Sequence, residues 1–154
     1  MAAFRKWTPT GGEGGAVAVE FVIIFPLLFL FICGIIEFGR IMAIKNLATS
    51  AAREGARTAI LAGATGTDVY DKITSVLDGG GLTPFIYGLS ITVNESGVTN
   101  TYPLGPGLSL ANVDGGSPVT VSVQIDFGAC ALIPGFLDWI ILDGTVTMRR
   151  EKMV

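Results

Sequence analysis

The sequence predicts an α+β fold: a long N-terminal helix whose first half crosses a membrane, continuing into a small domain where a short helix packs on an antiparallel sheet of about three strands. Three observations predict it. GGAVAVEFVIIFPLLFLFICGIIEF, from Gly14 to Phe38, is apolar almost throughout. The stretch that follows, EFGRIMAIKNLATSAAREGARTAILAG, contains no proline and is rich in good helix formers. Further on, YGLSITVNE and VTVSVQIDF alternate apolar and polar residues, the period of a strand with one wet face.

The chain has 154 residues, room for one small domain plus an anchor. Residues 1–15 (MAAFRKWTPTGGEGG) form a polar flank carrying Arg5 and Lys6. From Ala16 to Ile36 only Glu20 is charged. Those roughly 21 residues make about 30 Å of helix, enough to cross the hydrocarbon core. A removed secretory signal would have a shorter apolar core followed by small residues. Here the core is long and helix-forming sequence follows it, so the run reads as an anchor. Pro26 removes one backbone hydrogen bond inside the run, which membrane helices tolerate.

The helix is expected to extend past the membrane, over 16–63 in all, with 16–36 as the transmembrane part. Gly63 and Gly66 are the first C-terminal stops. Such a helix would be about 70 Å long. Its second half has an Ala-rich face (Ala48, Ala51, Ala52, Ala56, Ala59) and ion-pair opportunities in Glu37 with Arg40 and Glu54 with Arg57. A helix of that kind is marginal alone in water, so it must be packed against a domain or other copies.

Residues 64–154 form the expected small domain. Val69, Ile73, Val76 and Leu77 fall on one face of a short helix, Asp68–Leu77, ended by Gly79, Gly80 and Gly81. The first strand, Tyr87–Glu95, puts Tyr87, Leu89, Ile91 and Val93 on one side. The second, Val119–Phe127, alternates without error, and Thr145–Arg149 is a shorter third. The two helices are the natural cover for the apolar face. Ser96–Pro118, rich in Gly, Asn, Ser and Pro, reads as a long connection.

The segment ACALIPGFLDWIIL, from Ala129 to Leu142, is too apolar for a solvent loop and too interrupted for a strand. It either folds back over the core or forms a contact patch for a neighbouring subunit or membrane, built on Leu132, Ile133, Phe136, Trp139 and Ile140.

Composition excludes several classes. Formal net charge is -3 with no basic bias, so nucleic acid is not an expected partner. The chain has no His, the commonest general base and a common metal ligand. Its two Cys, Cys33 and Cys130, match no zinc spacing. Asp114, Asp126, Asp138 and Asp143 are scattered and read as turn or solvated residues. The glycine-rich DGGG and GPG lack the Gly-Lys-Ser/Thr of a phosphate loop. No enzyme, cofactor, metal or small-molecule substrate is expected.

Glu20 remains. A carboxylate in hydrocarbon costs several kcal/mol unless paired or neutralised. It either lies at the headgroup boundary or finds a cation. Cleavage between Gly15 and Ala16 would supply one: a new α-amine four residues away, cationic near neutral pH. The two could pair within one chain or between adjacent chains; an interchain pair would set the stagger of packed helices, because an unpaired charge in an apolar bundle is heavily penalised.

Gly15 followed by AVAVEF resembles a type IV prepilin processing site, with Glu20 at the fifth mature position and Phe21 at the sixth. EFVIIFP, GIIEFGR and AAREGAR, in that order, resemble the TadE-like family, minor pilins or pseudopilins of the tight-adherence (Tad/Flp) pilus; the ending VTMRRE is similar to the family's last strand. The resemblance spans roughly Gly15 to Arg57. It implies a pilin-like fold and cleavage after Gly15 by a prepilin peptidase at the inner membrane. It also implies a role for Glu20 in assembly, a C-terminal domain in the periplasm or outside the cell, and other pilins and Tad assembly machinery as partners. Arg40, Lys45, Arg53 and Arg57 follow the apolar run, against Arg5 and Lys6 before it, so charge counting alone favours the opposite orientation; the processing motif requires the N-terminus inside. The alternative is an uncleaved single-span protein displaying a small binding domain.

Overall fold

A computed structural model describes residues 13–105, 108–110, 113–132, 135 and 137–151, with Glu13 and Gly14 described by backbone alone. Expectations for the leader before Glu13, and for Ile133 and Phe136, lie outside the described residues. Contacts divide the chain into two units, Met1–Phe38 and Gly39–Val154.

Helix α1 spans Glu13–Ala59 and continues through Pro26. In the first unit its large apolar side chains are exposed all round, from Val17 at 65% to Ile36 at 47%. It is long and apolar enough to cross a membrane.

The second unit is one core between two helices and a sheet. Helix α2, Gly66–Asp78, begins with a capping box: the Thr65 hydroxyl accepts from the Asp68 N–H, and the Asp68 carboxylate accepts from the Thr65 N–H at 2.9 Å. Strands β1 (Ile86–Glu95), β2 (Val98–Pro103), β3 (Pro118–Asp126) and β4 (Ile141–Arg149) form an antiparallel sheet in the order β2-β1-β3-β4. The Ala stripe of α1 (Ala48, Ala51, Ala52, Ala56, Ala59) is fully buried, as are Val69, Ile73 and Leu77 of α2. They face Ile91 of β1 and Val119, Val121, Val123, Ile125 and Phe127 of β3 and its end, all likewise fully buried. Small residues let α1 come close: a Cβ on Gly144 of β4 would lie 2.5 Å from the Ala48 carbonyl carbon.

Four expectations change. Helix α1 ends at Ala59, short of the expected 63, and a turn with left-handed backbone at Gly63, φ 81°, follows it. The sheet has four strands, because β2 forms inside the Ser96–Pro118 connection. Its six residues are all exposed, so no apolar alternation announced it. The turn into it uses left-handed backbone at Ser96 and Gly97, φ 51° and 87°. Strand β4 starts at Ile141, four residues before the expected Thr145, and so takes up the end of the ACALIPGFLDWIIL segment. Tyr87 does not join Leu89, Ile91 and Val93 inside: a register shift between Ile86 and Gly88 leaves it 64% exposed.

Arg150, just beyond β4, is 3% exposed. Its guanidinium donates to the Leu110 carbonyl, and its backbone N–H and C=O bond Ser117 and Gly116, each at 3.0 Å. The stem of the 104–117 loop is thereby tied to the sheet.

Candidate functional site

Two places carry the residues singled out above. The first is the start of α1. The Gly15–Ala16 peptide lies near its first turn, and a Cβ on Gly15 would meet nothing within 4 Å. Glu20 is exposed, and among the described residues no group donates to its carboxylate. Phe21 is 62% exposed, with its ring 5.5 Å from that of Phe25, which lies 6.2 Å from Phe29. These rings recur every fourth residue and form one aromatic stripe. Among the described residues of this unit nothing covers the apolar faces of the helix that carries Glu20 and the aromatic stripe beside it.

The second is the segment from Gly128 to Ile140. It leaves β3 by a 3-10 turn, Gly128–Cys130, and returns to β4 through a bond from the Phe127 N–H to the Ile140 carbonyl at 3.0 Å. Gly128 is required there, since a Cβ would sit 2.5 Å from the Asp138 Cα. The Arg40 guanidinium of α1 donates to the Cys130 carbonyl. Cys130, Ala131, Leu137 and Ile140 pack against the core. Leu132 and Trp139 point outward, 55% and 79% exposed. The described residues of the segment are thus divided between side chains that cover the core and side chains that are exposed.

Sequence reasoning did not find the outer face of the sheet. Thr101, Thr92, Thr120 and Thr147 stand in register across all four strands. The Thr92 and Thr101 hydroxyls are 2.9 Å apart, those of Thr120 and Thr147 2.7 Å. One row on, the Asp143 carboxylate accepts from Ser122 at 2.7 Å and from Thr145 at 2.8 Å. The signal was present in the polar half of each alternating strand, but without β2 and the register the threonines did not form a row. Among the described residues no group of three or more His, Cys, Asp or Glu could hold a metal ion.

Comparison with protein-family models matches residues 15–57 to TadE, described as TadE-like protein. No curated protein and no solved structure matches the chain. The matched segment takes in the apolar helix, Glu20 with its aromatic neighbour, Arg40 and most of the buried alanine stripe.

Proposed function

We propose that this chain, TadE-like over residues 15–57, is a minor pilin or pseudopilin. A prepilin peptidase cleaves it between Gly15 and Ala16, and it assembles into, or at the base of, a Tad-type pilus that serves adhesion or secretion. Residues 1–15 act as the leader, 16–36 as the inner-membrane span, and 64–154 as the extracytoplasmic domain, carried on the rest of α1, which ends at Ala59. Glu20 pairs with the new α-amine of a neighbouring subunit, and Phe21 packs beside that pair. Leu132, Ile133, Phe136 and Trp139 supply a subunit-contact patch, next to Ile140, which packs against the core.

One observation carries this reading: the acid and aromatic at the start of α1 lie on a helix whose apolar surface is exposed from Val17 to Ile36. In the membrane lipid covers that surface. In a filament other stems must cover it, and an acid among them needs a cation. The exposed Trp139 and Leu132 favour a subunit contact for the second patch over a purely internal role.

Mass spectrometry of protein extracted from membranes of the native host tests the processing step; a mature chain beginning at Ala16 is expected. An intact N-terminus in a host that has the peptidase favours the uncleaved display domain instead. Glu20→Gln tests the pairing, with membrane insertion retained and pilus production lost.

A further inference from the structure

Among the described residues the sheet has two open edges, β2 and β4. In an antiparallel ladder, residues that bond one neighbouring strand alternate with residues whose N–H and C=O point the other way. The bonds from Phe127 to Ile140 and from Arg150 to Ser117, at the two ends of the β3–β4 ladder, fix that alternation. They direct the backbone groups of Ile141, Asp143, Thr145, Thr147 and Arg149 outward. The bond from Leu104 to Leu89 does the same for β2 and directs Thr99, Thr101 and Pro103 outward. Among the described residues, no backbone bond reaches any of these outward groups on β4.

An open edge of this length is a template for another strand, and proteins usually blunt it with proline, lysine, a bulge or a cover. Strand β4 has nine residues, none of them Pro or Lys, and its register runs unbroken. All five outward-directed residues have exposed side chains on the hydroxyl face. Strand β2 is exposed along its whole length and is stopped only by Pro103.

We propose that the β4 edge of one copy pairs antiparallel with the β2 edge of a second copy, continuing the sheet from subunit to subunit. Strand direction selects this occupant. In the order β2-β1-β3-β4, with every neighbour antiparallel, β2 and β4 run in opposite senses. A copy displaced sideways in the plane of the sheet therefore brings its β2 antiparallel to the first copy's β4. Copies related by such a displacement, with the usual twist, keep every element parallel, as chains anchored in one membrane must be. The self-pairing of two β4 edges fails this condition. Its two-fold axis stands perpendicular to the sheet and would reverse the partner's α1 segment, which packs flat on that sheet through Ala48 to Ala59.

The side chains agree with the pairing. The outward residues of both edges lie on the same face, so an unstaggered join sets Thr101 of one copy opposite Thr147 of the next. The four-threonine row then runs on across the junction. Thr99 meets Arg149, whose guanidinium has no hydrogen-bond or ion-pair partner among the described residues, and Pro103, which has no N–H, offers Thr145 only its carbonyl and ends the ladder there. The join is head-to-tail and open-ended, the kind that builds rows or filaments rather than closed dimers. It rests on the sheet and on the proposed membrane anchorage, and it stands whether or not the leader is cleaved.

Disulfide trapping tests it on the full chain in native membranes. Two differently tagged copies are co-expressed, one with Thr101→Cys and the other with Thr147→Cys, both carrying Cys33→Ala and Cys130→Ser. Opposed residues of a bonded pair have Cα atoms about 5.5 Å apart, inside the disulfide range of about 4.4–6.8 Å. Mild oxidation is expected to link the two tags. Moving the second cysteine to Thr92→Cys, on an inner strand, is expected to abolish the link. Thr145→Pro removes an outward N–H without touching the β3 ladder, and is expected to lose the link as well. A link from the Thr101→Cys copy to either a Thr147→Cys or a Thr145→Cys copy supports the pairing. No link to either, or links formed only between two Thr147→Cys copies, overturns it.

Discussion

Gly144→Ala measures how closely α1 lies on the sheet. The added methyl would stand 2.5 Å from the Ala48 carbonyl carbon, 2.6 Å from the Thr49 nitrogen and 2.7 Å from the Ala48 oxygen. All three are helix backbone atoms and none can rotate aside. To restore an ordinary contact of about 3.5 Å, the helix must lift by about 1 Å over its buried alanines. Overpacking of this kind costs about 1–3 kcal/mol, and a rigid backbone neighbour puts this site at the upper end. The stiffer unfolded chain returns only about 0.5–1 kcal/mol. A net loss of about 2 kcal/mol follows, or roughly thirtyfold in the folding constant. Gly88→Ala is the control. Its methyl would meet only the Gln124 side-chain oxygen at 3.2 Å, which can swing away, so a change within about 0.5 kcal/mol is expected. Hydrogen exchange of the β3 amides, read by mass spectrometry on the full chain in detergent, reports global opening of this domain without interference from the helix before Gly39. Exchange about thirtyfold faster in Gly144→Ala than in Gly88→Ala is expected. Equal protection in the two variants would refute the close approach of α1 to β4.

Three further outcomes are expected. Phe127→Ala removes a fully buried ring at the end of β3 and should cost about 3–5 kcal/mol, read in the same measurement as β3 exchange faster by roughly two to four orders of magnitude. The Asp68 carboxyl is held below its ordinary value, first by the Thr65 hydroxyl and then by the Thr65 N–H. A depressed carboxyl stabilises the fold above its unfolded value of 3.8 and loses that contribution as pH falls through the folded value, so protection of α2 amides should drop below about pH 4, and Asp68→Asn should flatten that dependence. Trp139→Ala should leave domain exchange unchanged within about 0.5 kcal/mol, since the ring is 79% exposed, yet reduce pilus production if the outward side of its segment meets another subunit.

The sequence by itself determined the elements whose residues are sorted by water. An unbroken apolar run can only be a span or a buried helix, and Val119 to Phe127 alternates so strictly that its inner face was readable residue by residue. The alanine stripe announced a close-packed helix, and Glu20 stood out because a charge in an apolar run is physically conspicuous. The tertiary structure alone decided what depends on neighbours distant in the chain. Strand β2 has no buried side chain, so nothing in its own residues distinguishes it from a loop; only hydrogen bonding to β1 makes it a strand. The early start of β4, the bulge that turns Tyr87 outward and the division of the described 128–140 side chains into covering and exposed ones follow from the same cause. So do the threonine row and the two open edges, because register is a relation between strands and no single strand contains it.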